Sequence, residues 1–221
     1  MGVRTALFDL DGTLINSEHR SLAMWQMLLD RYGSDADVRI FMGRRSRDVL
    51  PHVLPGHDAE KLIAEVFAFG SEPGLPAIEP VPGAHAFVTQ VAAVGSPIAV
   101  VTSAGMEWAE ERLVELGVRD LVRTIVAAGD VAVGKPDPAG FLLASRRLSV
   151  EAADCVVFED SLPGVVAAKA AGMRCVGVAT SHTAEELAGA DLVVPDLSGG
   201  GSGRAGGVRD PDGGRRCRRG G

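Results

Sequence analysis

Cysteine is scarce in this 221-residue chain. Cys155, Cys175 and Cys217 are odd in number and far apart, which excludes a disulfide framework or a cysteine-based zinc site and makes the first two buried thiols. No apolar run approaches the roughly 20 residues of a membrane-spanning helix. Positive charge is also short: 22 Lys and Arg stand against 29 Asp and Glu, a formal net charge of −7. Such a surface has no electrostatic basis for binding nucleic acid or anionic membrane. The expectation is a cytoplasmic protein that acts on a small diffusible molecule, and nothing in the sequence requires more than a monomer.

What is present suits a substantial core, since 46% of the residues are hydrophobic. From about Ser17 to Pro80 the signals are helical. Leu22, Trp25, Met27, Leu28 and Tyr32 recur at near-helical spacing before Gly33, and further helices are expected over Ser46 to Val53 and Ala59 to Phe69. The Pro- and Gly-rich stretch from Glu72 to Gly83 reads as a linker. Beyond it, strands and helices alternate, and runs such as IAVVT, CVVFED and RCVGV are apolar on both faces, as buried parallel strands require. The fold class is therefore α/β, a doubly wound parallel sheet with an inserted helical domain. The expected division is 1–15 with 81–197 as core, 16–80 as insert and 198–221 as tail. Residues 199–221 hold ten glycines and six arginines, too little apolar surface to offset the entropy of ordering, so a disordered tail is expected.

The most informative segment is FDLDGTL, Phe8 to Leu14. Val3, Ala6, Leu7 and Phe8 make a strand covered on both faces, and Asp9 and Asp11 emerge where it ends. Gly12 permits a sharp turn, so both acids sit beyond the carboxyl edge of the sheet, where α/β proteins bind ligands. One carboxylate of such a pair can act as nucleophile while the other handles protons, provided a cation offsets their repulsion.

Three further strand ends carry polar groups. Thr102 and Ser103 close IAVVT, where hydroxyls bind phosphoryl oxygens or simply cap turns. Lys135 stands in GKPDP before a helix, either solvated or placed to neutralise a dianion. Glu159 and Asp160 close CVVFED, where adjacent acids make a hard-oxygen site for Mg²⁺ or a plain helix cap.

In this order FDLDGTL, VTS, GKPDP and FEDSLPGV resemble the four motifs of the haloacid dehalogenase superfamily, from about Val3 to Leu197. The resemblance implies a Mg²⁺-dependent phosphohydrolase rather than a dehalogenase, because dehalogenases of that superfamily lack the acid found here as Asp11. It makes Asp9 the nucleophile that becomes an aspartyl phosphate, and Asp11 the general acid and base. Mg²⁺ would be held by Asp9, Asp160 and the backbone carbonyl of Asp11, with Glu159 close by. Thr102, Ser103 and Lys135 would hold the phosphoryl oxygens.

The helical insert resembles the small cap of one superfamily branch. Within it, Gly43-Arg44-Arg45-Ser46-Arg47-Asp48 is similar to the G-x-R-T-x-D segment of glycerol phosphate and 2-deoxyglucose 6-phosphate phosphatases, which would let Arg45 reach a phosphate or sugar hydroxyl. The expected activity is hydrolysis of a small phosphorylated sugar or polyol. A β-phosphoglucomutase-like mutase is the alternative, although Ser21 occupies the position where mutases carry a histidine. A phosphometabolite-binding protein without turnover is the second alternative.

Overall fold

The computed structural model describes residues 4–201. They form β1 Thr5–Phe8, β2 Ile15–Asn16, α1 Glu18–Tyr32, α2 Ser46–Val53, α3 Ala59–Phe69, β3 Glu79–Pro80, α4 Ala84–Ala93, β4 Ile98–Val101, α5 Met106–Glu115, β5 Thr124–Val126, α6 Ala139–Leu148, β6 Cys155–Glu159, α7 Leu162–Ala170, β7 Arg174–Val178 and β8 Leu192–Val194. Short 3₁₀ turns join several of them. No helix among the described residues is long and apolar enough to cross a membrane.

Six strands make one parallel sheet in the order β5-β4-β1-β6-β7-β8. Every residue of β1, β4 and β6 is buried, and side chains alternate between two cores with the period of a strand. Ala6, Phe8, Val100 and Phe158 meet Val88 of α4 and Leu113 of α5 on one face. Leu7, Ala99 and Val157 meet Phe141 of α6 and Ala168 of α7 on the other. This is the doubly wound α/β sheet expected from the sequence. The chain lays β4 and β5 to one side of β1, then returns to lay β6, β7 and β8 on the other. The carboxyl end of β1 is consequently a topological switch point, with open space between diverging connections.

Helices α1, α2 and α3 enclose a separate core that includes Trp25, Leu28, Phe41, Leu50, Leu62 and Val66. The rings of Trp25 and Phe41 stack at 4.3 Å. Helix α1 stops at Gly33, whose φ of 66° is left-handed, and α3 starts on Asp58, whose carboxylate accepts the N–H of Glu60 and Lys61. No sequence pattern marks β2 and β3, which pair antiparallel through Ile15 with Pro80 and Asn16 with Glu79. Two-residue strands are too short for a periodic signal, yet this pair ties the two ends of the helical insert into one neck. At the other end, residues 198–201 form a 3₁₀ turn held by the Asp196 carboxylate, which accepts the Ser198 N–H and hydroxyl, where a disordered tail was expected. The rest of the expected tail, and Cys217, lie outside the described residues. Cys155 and Cys175 are buried and free, as expected.

Candidate active site

The chain leaves β1 at Asp9, whose N–H donates to Phe158 O at 2.9 Å and so keeps the acid beside β6. Gly12, at φ 87°, then turns the backbone across Asp160. A Cβ there would lie 1.9 Å from Asp160 Oδ2, so the loop tolerates no side chain at that position. From the far side, Lys135 extends between β5 and α6, and its Nζ donates to Asp9 Oδ1 and, at 2.6 Å, to Glu159 Oε1. Carboxylate oxygens of Asp9, Glu159 and Asp160 lie within 4.8 Å of one another. All four side chains are buried. Strand ends remote in sequence thus bring together the lysine and three of the acids singled out above.

Three carboxylates against one ammonium leave two uncompensated negative charges when all are ionised. Burial, only partly opposed by Lys135, holds the Asp9 carboxyl well above its ordinary range. Asp160 is pushed up to about 7, first by burial and then by the charge of Glu159. Lys135 stays protonated far into the alkaline range, because Asp9 and Glu159 outweigh the burial that pulls it down.

Glu159 Oε2 accepts the N–H and the hydroxyl of Ser161, each at 2.8 Å, while Oε1 accepts Lys135. Gly164 makes room for this carboxylate, since a Cβ there would lie 1.7 Å from Oε1. Glu159 therefore has both oxygens engaged by protein donors. Asp160 is less fully engaged: Thr13 Oγ1 donates to its Oδ1 at 3.1 Å, the neighbouring Ser181 hydroxyl pulls its pKa down, and no donor meets its buried Oδ2 in hydrogen-bond geometry. A buried acceptor without a donor is costly, and an all-oxygen donor set with a net charge of −2 suits a hard divalent cation. The residues present fit Mg²⁺.

Asp11 lies outside that cluster. Its Oδ1 accepts Ser17 Oγ at 2.6 Å and Trp108 Nε1 at 3.1 Å, and Thr102 Oγ1 stands 3.4 Å from Oδ2. Neither Ser17 nor Trp108 was anticipated from the sequence. Their only signal was a hydroxyl at the start of α1 and an indole in the first turn of α5, and neither spacing points at Asp11. The Thr102 hydroxyl also accepts the Ala104 N–H, and Ser103 Oγ donates to Gly43 O at 3.0 Å, joining core to insert.

Arg45, expected to reach a phosphate or sugar hydroxyl, lines the cavity described below but is held by the protein itself. Its five N–H groups are all engaged: Nε and Nη2 grip both oxygens of Asp48, Nη1 reaches Ala128 O and Val131 O, and Nη2 also reaches Ala132 O. The turn after β5 presents three carbonyls in an arc that matches the planar guanidinium fork. Gly134 leaves space for it, since a Cβ there would lie 2.6 Å from Nε. Arg45 is therefore a fastener between insert and sheet.

Between these parts lies a cavity of about 820 Å³, lined by Asp9, Asp11 and Thr102 at one end and by Trp25, Phe41 and Phe67 at the other. Glu18 also lines it, its carboxyl held well above the ordinary range by burial and then by Asp160 and Asp11.

A sequence model of haloacid dehalogenase-like hydrolases matches residues 6–178. This chain belongs to that family. It is 43% identical over 201 residues to validoxylamine A 7'-phosphate phosphatase of Streptomyces hygroscopicus subsp. limoneus, covering 88% of this chain and 94% of the relative. It is 32% identical to fructose-1-phosphate phosphatase of Escherichia coli K12, covering 78% and 94%. A hydrolase from Pseudomonas syringae superposes with a TM-score of 0.77 at 26% identity, covering 88% and 94%. The family shows that the chain is an enzyme, a hydrolase with the core fold described above.

Proposed function

We propose that this phosphatase of the haloacid dehalogenase type is Mg²⁺-dependent, cytoplasmic, and hydrolyses a small phosphorylated sugar or polyol through an aspartyl phosphate. The observation that carries the reading is the meeting of Asp9, Lys135 and Asp160 in one buried cluster, with Asp160 Oδ2 unpartnered, at the cavity that Asp11 also lines. Relatives named for a validoxylamine phosphate and for fructose 1-phosphate support a sugar-like alcohol.

Asp9 attacks phosphorus and the bond to the alcohol oxygen breaks in line. Phosphoryl transfer needs positioning and charge neutralisation more than covalent help, and Lys135 supplies a fixed ammonium against Asp9 and the incoming dianion. Asp9 and Asp160 would hold Mg²⁺, with the backbone carbonyl of Asp11, and Glu159 would hold Lys135 in place. When bound, the ion neutralises charge on the phosphoryl oxygens and on the acids. Asp11 gives its proton to the departing alkoxide, then takes one from the water that hydrolyses the aspartyl phosphate, releasing phosphate and restoring both acids. Trp108 and Ser17 orient Asp11 by holding one oxygen, and Thr102 and Ser103 flank the phosphoryl position. Residues 16–80 act as the cap that keeps water out during transfer.

Phosphate release from p-nitrophenyl phosphate and sugar phosphates, with Mg²⁺ and with chelator, tests this. Turnover should require the ion, and Asp9→Asn should abolish it while the melting temperature stays within a few degrees. Full turnover in Asp9→Asn would remove the nucleophile. Isomer formation exceeding phosphate release, given a bisphosphorylated activator, would indicate a mutase despite Ser21.

A further inference from the structure

We infer that Trp108, fixed in turn by Arg112, is a positioning residue that leaves Asp11 only one oxygen from which to hand its proton to the departing alkoxide; this deepens the phosphatase mechanism above and rests on it. Asp11 Oδ1 accepts Ser17 Oγ at 2.6 Å and Trp108 Nε1 at 3.1 Å. An indole N–H donates and never accepts. A proton on Oδ1 would meet it donor to donor, so the acid form of Asp11 carries its proton on Oδ2, where the Thr102 hydroxyl stands 3.4 Å away. Asp11 lines the cavity, and a carboxyl pinned through Oδ1 offers it Oδ2.

The two donors on Oδ1 come from different parts of the molecule. Ser17 precedes α1 in the neck of the insert, so its grip depends on where the insert sits. Trp108 stands in the first turn of α5, packed against the core of the sheet, so its grip does not. Arg112 lies four residues further on, on the same face of the helix. Its guanidinium sits over the indole, 4.6 Å from the ring centroid, and its Nη2 donates to Glu115 Oε1 at 2.8 Å and Glu111 Oε2 at 3.4 Å. Arg112 Nε is buried with no partner. A donor buried unbonded is costly, and a solvated side chain on a helix surface would avoid that cost. The cation over the ring offsets it and holds the indole plane against Asp11.

The test compares kcat/KM, with Mg²⁺, for n-butyl phosphate and phenyl phosphate with that for p-nitrophenyl phosphate. This constant covers the steps up to phosphoryl transfer, before water is activated. Nitrophenolate departs without a proton, whereas butanol needs one. Neither butanol nor phenol offers Arg112 a second polar group, so a fall in the ratio cannot come from a lost contact with the alcohol, and loss of folded protein lowers all three alike. The butyl ratio should fall roughly 10²-fold in Asp11→Asn and about tenfold in Trp108→Phe, which keeps a ring and loses the N–H. It should fall about threefold to fivefold in Arg112→Met and return to within about twofold in Arg112→Lys, which keeps a cation over the ring. The phenyl ratio should follow the same order with smaller changes. Ratios unchanged in Trp108→Phe but lowered in Asp11→Asn overturn the positioning by Trp108 and leave the phosphatase reading standing. A fall in Trp108→Phe with none in Arg112→Met overturns the part given to Arg112. Ratios unmoved by Asp11→Asn, or no phosphate from any ester, overturn the acid role or the whole phosphatase reading, and the positioning with it.

Discussion

The carboxyl edge of the sheet and the underside of the helical insert face each other across one cavity, and they treat polar groups in opposite ways. At the sheet edge, Asp9, Lys135, Glu159 and Asp160 are buried and locked to one another or to Ser161 and Thr13. On the insert, Arg44 and Arg47 are exposed, Arg47 pairs with Glu60, and Trp25, Phe41, Ile63 and Phe67 line the cavity among them. The difference teaches a division of labour. Charges that must not move are fixed where the low dielectric makes each contact strong, whereas the charges of the insert stand at the exposed surface, where water weakens each contact.

Removing a fixed charge should break this contrast most severely. Lys135→Ala leaves Asp9 and Glu159 without their cation; we expect kcat to fall by roughly 10²–10³ or more and stability to fall by about 3–5 kcal/mol, read by phosphate release and urea unfolding. A change below a few-fold would mean that the lysine is peripheral. Next, Leu50→Ala empties a position in the insert core and should cost about 2–5 kcal/mol. Hydrogen exchange should show the loss concentrated in α1, α2 and α3, with β1, β4 and β6 still protected; uniform loss would show that the two cores are one cooperative unit.

A third effect follows from Asp160, raised from 3.8 to about 7 by burial and Glu159. Between those values the folded protein holds a proton that the unfolded chain does not, so the ion-free protein is most stable at the acid end and loses this contribution as pH rises through about 7. Asp9 acts in the same direction. A Mg²⁺ ion taking the place of that proton would stabilise the protein more as pH rises from 5 to 8, by roughly 5–10 °C with the ion at about 100 times its Kd. Thermal scans with and without the ion measure it, and a shift independent of pH would count against Asp160 as a ligand. The smallest effect is expected for Arg45→Lys, which keeps the charge and loses the fork. It should loosen the seam by about 1–2 kcal/mol, seen as faster amide exchange at residues 43–48 and 127–132.

Much of this was legible in the chain. IAVV and CVVFE are apolar at every position because both faces of the sheet are covered, and that pattern placed the strands to within a residue or two. Gly12 and Gly164 were visible as motif glycines, although what they make room for, Asp160 and Glu159, required coordinates. Arg45 shows what a motif leaves out. Its neighbours in sequence suggested a substrate contact, and besides Asp48 three carbonyls that engage it come from a turn more than 80 residues away. Trp108 was invisible for the same reason: an indole in the first turn of a helix carries no information about which carboxylate it will meet.

By itself the sequence determined the alternation of strand and helix, the helical insert, and which acids and lysine end the strands, because burial pattern and turn chemistry are local. Only the tertiary structure decided that Asp160 keeps an unpartnered oxygen, that Asp11 is held by Trp108, and that Arg45 fastens the cap. Each of these depends on which remote donors and acceptors the topology brings within hydrogen-bond reach, and no local pattern encodes that distance.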